Sequence, residues 1–347
     1  MGTPSTPHPG SPEEPLQLAE LIERVDLDGL TARIDSLSYD DQWAEVVDLR
    51  DRCRAALSRG KQLWPAAAYA EYRMALDAPA AISASVLDSP ADRFTFGPFA
   101  EVMASTHTFA QLSAHLPVAP SASMVVQERV CRGEDLRADD VARSQPDVLG
   151  LPLALELWEP IYPVATYAPS RLEAHTPTVP PYAVVAGGCA DWRSFEDRAA
   201  TEALRDLAHT WTTASNGRAH AIAVEGDAVG AVLALGVPCA RLASISGAEA
   251  LAWMCWTAAS GGANGRRRGS AAGRHAAWWA LTAIAGLADV PGDEPATADE
   301  LGDALRDLRW FLWDDGAPAT GWALRLAVED PVEGLAWSLR ASDARLQ

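Results

Sequence analysis

Residues 321–340 read GWALRLAVEDPVEGLAWSLR, and the spacing inside this run decides the class of fold. Trp322, Leu324, Leu326 and Val328 alternate with Arg325 and Glu329, and Leu335, Trp337 and Leu339 repeat the pattern. A period of two puts one set of side chains on one face of a sheet. The chain is therefore expected to end in an antiparallel meander.

Upstream, strands and helices are expected to alternate from Tyr182 onwards. AHAIAVEG (219–226) and ARLASIS (240–246) read as buried strands, as does YAVVAGG (182–188), which ends in glycines. Between them SFEDRAATEALRDLAHTW (194–211) reads as a helix with a capping-box spacing at Ser194 and Asp197, and DAVGAVLALG (227–236) as a short helix. Ser246 with Glu249, and Thr297 with Glu300, give the same capping signature further on. Some parallel pairing is expected among these strands. The first half of the chain differs, because apolar residues recur there at steps of three and four. Pro65 and Pro98 suit helix starts, while Pro79 and Pro117 suit stops. The helices are expected to continue through SMVVQERVCRGEDL (123–136) and a short stretch near PLALELWEP (152–160).

The expected architecture is thus α+β: a helical N-terminal half, then a mixed α/β C-terminal half closed by the meander. Four segments follow: a disordered Pro/Ser-rich tail at 1–15, a helical domain at 16–157, a Pro-rich connector at 158–181, and a mixed domain at 182–347. The connector, WEPIYPVATYAPSRLEAHTPTVPP, carries too many prolines for a regular helix.

Composition narrows the chemistry. The 347 residues carry a formal net charge of −19, which argues against nucleic acid or an anionic membrane as a general partner. No run is long and apolar enough for a membrane helix, and no signal peptide is readable. The five cysteines are scattered, without a C-x-x-C pair, so neither a disulfide framework nor a zinc ribbon is supported. Reduced thiols in a cytoplasm are the expected state. Lys61 is the only lysine, in SRGKQLWP, which removes the Walker A grip and the pyridoxal Schiff base. No metal or cofactor is expected.

One stretch departs from its surroundings: SGGANGRRRGSAAGRHAAWW at 260–279. Arg266, Arg267 and Arg268 lie between glycines, Ser270 is the expected N-cap of the next helix, and Arg274 and His275 fall near its first turn. Helix N-termini favour anions, and guanidinium is suited to bidentate carboxylate or phosphate contacts. Arg266, Arg267, Arg268, Ser270 and Arg274 are therefore the candidate binding residues, for an anionic small molecule or an acidic protein surface. The opposite reading is a loop paired with the chain's own acids, of which there are 47.

An enzyme is the alternative. Cys189 follows a strand-end Gly187-Gly188, with His209 or His220 as a base, and Glu225 with Asp227 closes another strand. Asp227 equally suits a helix N-cap. Glu101, His107 and His115 share a helical region at spacings unlike those of a metal site. The mixed-sign run QERVCRGEDLRADD (127–140) reads as a solvated helix end, or as part of a buried Arg–Glu network.

Five stretches carry a family likeness: AEYRMALDAP (70–79), RFTFGPFAEVMASTHTF (93–109), QERVCRGEDL (127–136), LELWEPIYPVATYAP (155–169) and GRRRGSAAGRHAAWWAL (265–281). They resemble a family of conserved actinobacterial hypothetical proteins over about residues 40–345. The resemblance implies no activity, ligand or catalytic residue.

Overall fold

The computed structural model describes residues 13–90, 94–184, 191–288, 296–316 and 321–344, and these fall into two compact units. One comprises residues up to Leu116 together with Tyr167–Arg171; the other comprises Pro117–Thr166 and the chain from Leu172 onwards.

The first unit is helical: α1 (Glu13–Arg24), α2 (Leu27–Tyr39), α3 (Trp43–Leu57), α4 (Trp64–Asp77), α5 (Ala80–Ala84), α6 (Phe99–Thr106) and α7 (Phe109–Leu112). Helix α1 begins inside the stretch read as a tail, of which residues 1–12 lie outside the described residues. Asp26 caps α2 through the Gly29 amide at 2.9 Å, and Pro65 occupies the first turn of α4. Alanine-rich α4 is buried along most of its length, because small side chains let neighbouring helices approach on several sides. Its Glu71 is fully buried, ion-paired with Arg54 and accepting from Ser89 Oγ at 2.6 Å.

In the second unit α8 (Pro120–Cys131) and α9 (Asp140–Arg143) precede an irregular stretch; the short strands β1 (Thr166–Ala168) and β2 (Arg171–Glu173) that follow are divided between the two units. The rest is β3 (Ala183–Val184), β4 (Arg193–Phe195), α10 (Arg198–Asp206), α11 (His209–Ala214), β5 (Arg218–Glu225), α12 (Ala228–Ala234), β6 (Arg241–Ile245), α13 (Gly247–Ala259), α14 (Ser270–Ile284), α15 (Ala298–Asp307), β7 (Arg309–Asp314), β8 (Trp322–Asp330) and β9 (Leu335–Asp343). Seven strands form one sheet in the order β3-β6-β7-β8-β9-β5-β4.

The meander is β7-β8-β9, with Leu326 opposite Leu339 and Val328 opposite Trp337. One sheet face sends Trp310, Leu312, Leu324, Leu326 and Leu339 into a core shared with α10, α13 and α14. The other sends Leu242, Trp313 and Ala327 against α12. The protein is α+β.

Four local expectations are corrected. Every strand pair in this sheet is antiparallel, so the parallel pairing does not occur among the described residues. Ser194 lies in β4, and Asp197 alone caps α10, accepting from the Ala200 amide. Ser270 is the first residue of α14, and the cap position belongs to Gly269 at φ +98°, a backbone conformation that suits glycine. The stretch 152–160 is not helical. Its carbonyls are taken from outside, Pro152 and Ala154 by Arg274 and Leu153 by the Leu136 amide, so they cannot close i→i+4 bonds.

Candidate functional site

The arginine loop connects α13 to α14 and is bound tightly to its own chain. The Arg268 amide donates to Ala259 O at 2.8 Å, and the Ala263 amide donates to Asp343 Oδ2 at 2.6 Å. A Cβ on Gly261 would stand 2.2 Å from Gly265 O, so only glycine permits that crossing. Arg267 is 5% exposed and donates to Ser270 Oγ at 3.3 Å, while Arg268 is exposed. At the start of α14, where an anion was expected, the Ala271 amide donates to Glu128 Oε1 at 2.9 Å. Glu128 is buried, and its other oxygen faces Arg132 at 3.2 Å. The anion at this helix N-terminus is the chain's own, in keeping with the dipole's preference for negative charge.

Arg274 stands one turn further on and is fully buried. All five of its N–H donors are engaged. Nε and Nη2 form a fork on Glu159 at 2.8 and 2.7 Å, Nη1 donates to Gln127 Oε1 and Pro152 O, and Nη2 also donates to Ala154 O. Glu159 in turn accepts from Tyr162 OH at 2.6 Å and from Trp278 Nε1 at 2.8 Å. Burial pushes the Glu159 carboxyl upward, but the bonds and charge of Arg274, the phenol and the Glu156 amide outweigh it and hold the carboxyl below its ordinary value. Burial and the neighbouring Glu159 carboxylate raise the Tyr162 phenol well above its ordinary value. This constellation has no donor of Arg274 to spare for a ligand.

The second unit also carries an open cleft of about 900 Å³. Ile245, Leu305, Leu308, Trp310 and Phe311 supply apolar surface, and Trp158 stands beside them. Ser246 and the first-turn residues Gly247 and Ala248 of α13 form another wall. Arg306 and Arg309 line it as well, paired with Asp303 and, at 3.0 Å, Glu329; Glu156 and Asp299 are the acids of the lining. The lining holds neither histidine nor cysteine. A protein-family pattern matches residues 28–345, nearly the whole chain. The chain belongs to DUF6183, a family of unknown function. No curated protein and no solved structure matches it.

In this DUF6183 chain the remaining sequence candidates are dispersed. Cys189 lies outside the described residues, and His209 and His220 are exposed. Asp227 caps α12 through the Gly230 amide at 2.7 Å, while Glu225 faces Arg193 at 3.8 Å. Glu101 is buried and accepts from Tyr167 OH at 2.6 Å. The His107 ring contacts Met103 O and Ala78 O. No group of three or more His, Cys, Asp or Glu among the described residues is placed to hold a metal ion, and no helix among them is long and apolar enough to cross a membrane. The residues sequence reasoning missed are Gln127, Glu159 and Tyr162 of the Arg274 network. Only the Glu128–Arg132 spacing hinted at a buried network there.

Proposed function

We propose that this DUF6183 chain is a ligand-binding protein whose site is the cleft beside the first turn of α13, and that it takes a flat apolar molecule bearing one anionic group. The observation that carries this reading is the juxtaposition in one cleft of apolar surface, two arginines and a helix start. A helix start presents amide N–H groups and partial positive charge, here from Gly247 and Ala248, while the Glu249 carboxylate takes the Ser246 amide at 2.7 Å. Trp158 and Phe311, both partly exposed, supply aromatic surface for an apolar body. The cleft's two arginines are paired with Asp303 and Glu329, and Glu156 and Asp299 stand in the lining, so a single carboxylate suits it better than a polyanion. The cleft is preferred to the loop of Arg266, Arg267, Arg268, Ser270 and Arg274, because the donors of Arg274 and the start of α14 are already occupied by the chain.

Thermal denaturation with 2-naphthoate, against 2-naphthol at matched ionic strength, tests the proposal. At ten times Kd, binding adds about 1.4 kcal/mol, or roughly 3–5 °C in a unit of this size. Stabilisation should follow the carboxylate and disappear in Ser244→Glu, which places a negative charge on an exposed position of the lining. Equal shifts from both compounds, no shift from either, or a shift that survives Ser244→Glu would overturn it.

A further inference from the structure

The seven-stranded sheet of the second unit is unevenly paired along β5. On one side β9 runs opposite its whole length, from Arg218 opposite Ser342 to Glu225 opposite Leu335. On the other side β4 covers only Ala223, Val224 and Glu225, because the chain leaves the ladder after Phe195 and Asp197 starts α10. Among the described residues, 218–222 therefore have a strand on one side only, and no hydrogen bond from outside the strand ladders reaches their backbone. Such an edge presents outward N–H and C=O groups on which a further strand can pair.

Side chains alternate along this edge. Ala219 and Ala221 pack, half-buried, against the core that includes α10, while Arg218 and His220 stand on the other face and are exposed. Across the sheet His220 lies opposite Arg340, and Arg340 opposite Arg325. Like charges opposite one another destabilise a sheet, and here the two arginines share Asp315, at 3.0 Å from Arg325 and 2.9 Å from Arg340. The edge pair has no such acid. Neither Arg218 nor His220 makes a hydrogen bond or ion pair among the described residues, in a chain with 47 acidic residues against 28 lysines and arginines. Glu196 and Asp197 follow β4 at the Ile222 end, so the uncompensated positive charge lies at the Arg218 end.

We propose that residues 218–222 are a docking edge for an acidic segment of another protein, which adds as a further strand in line with β4 and sets two acidic side chains opposite Arg218 and His220. Main-chain bonds supply the affinity and side-chain alternation the specificity. Directly opposed Cβ atoms in a sheet stand about 4.5–5.5 Å apart, within reach of an ion pair. The residue between the two acids falls on the face of Ala219 and Ala221, so the segment reads acid, apolar, acid. The chain's net charge of −19 does not oppose this at close range, because screening reaches about 8 Å at physiological salt and the edge cations are nearer than that. This edge is separate from the cleft, and neither proposal depends on the other.

Fluorescence anisotropy of labelled VEVEVEV and VKVKVKV peptides with the full chain tests the proposal. The acidic peptide should bind and the basic one should not. Methylating the backbone nitrogens of every valine, or of every glutamate, gives two peptides of unchanged charge. One should lose binding and the other keep it, because only alternate amides face β5. In Arg218→Glu/His220→Glu the ratio of acidic to basic affinity should fall by about tenfold or more. Should that variant fail to fold, amide hydrogen exchange in the wild-type chain decides: the acidic peptide should slow exchange at alternate residues within 218–222. Equal binding of VEVEVEV and VKVKVKV, or no binding of the former, would overturn the proposal. So would a preference unchanged by the double substitution, or full binding by both methylated peptides. A dimer of the wild-type chain that the double substitution abolishes would give the edge to a second copy instead.

Discussion

Replacing Arg274 by methionine should destabilise the second unit in a way that depends on pH. The variant keeps the bulk of the side chain but leaves the Glu159 carboxylate, wholly buried, without its cation. Breaking a buried pair from one side typically costs about 3–5 kcal/mol. The electrostatic part can be bounded, because the orphaned carboxyl can take up a proton instead. From its ordinary pKa of 4.5, protonation at pH 7 costs about 3.4 kcal/mol, at about 1.36 kcal/mol per pH unit. Gln127 Oε1, Pro152 O and Ala154 O also lose donors, adding a pH-independent remainder of about 1 kcal/mol or more.

The sign follows from linkage. In the native chain Glu159 is held below its ordinary value, so its contribution is full above about pH 4.5 and fades as pH falls through the native pKa. In the variant its pKa is raised, so stability is best below about pH 4.5 and is lost as pH rises. The difference between the two chains should therefore shrink by roughly 2.7 kcal/mol between pH 7 and pH 5. Urea unfolding followed by circular dichroism at both values measures it. In Arg274→Met/Glu159→Gln the pH-dependent part should vanish. A loss below about 1 kcal/mol at pH 7, or one equal at both pH values, would refute the reasoning.

Changing Arg266, Arg267 and Arg268 together to glutamine should lower the melting temperature without any added anion, since Arg267 is buried; sulfate should stabilise the native chain no more than chloride at matched ionic strength. An unchanged melting temperature, with sulfate-specific stabilisation lost, would restore the loop as an anion site. Glu128→Gln removes the charge at the start of α14 and opposite Arg132, and should cost about 1–3 kcal/mol in urea unfolding; a neutral result would show that the cap is idle. Among the four described thiols, Cys239 is exposed and should react first with maleimide at pH 7. Burial pushes Cys53 up to about 11 and Cys131 higher still, so both should stay unlabelled until the chain unfolds; early modification of either, read by mass spectrometry, would contradict this.

Much of the fold was legible because it rests on local spacing. The alternation in Trp322–Val328 and Leu335–Leu339 marks β8 and β9, and the capping boxes at Ser246 and Thr297 stand where their spacing placed them. Strand β7 was not read as one: RWFLWD has no clean alternation, since the sheet is covered on both faces there and Trp310 and Trp313 point into different cores. The site was harder. Anion attraction at a helix start is a local property that the sequence around α14 displays, but which anion sits there is tertiary. Glu128 reaches the Ala271 amide from 143 residues away in sequence, and no short window carries that information. Glu159 sits in a proline-rich stretch with no periodicity, so its role depends wholly on Arg274, 115 residues later.

Those separations also govern how the chain acquires its structure during synthesis. Gln127 must wait 147 residues for Arg274, so at roughly 5–20 residues per second the wait from Glu159 or Gln127 to their partner is about 6–30 s on the ribosome. Throughout that interval the segment 149–154 has nothing to hold its carbonyls except solvent and the nearby Leu136 and Gln127 donors. Long loops must close before such contacts reward the chain, which makes this a slow, late step of folding. The emerging polypeptide therefore presents the aliphatic residues of that segment to the cell before α14 exists to gather them in, and a chain that stalls before residue 270 remains open there to chaperones and proteases.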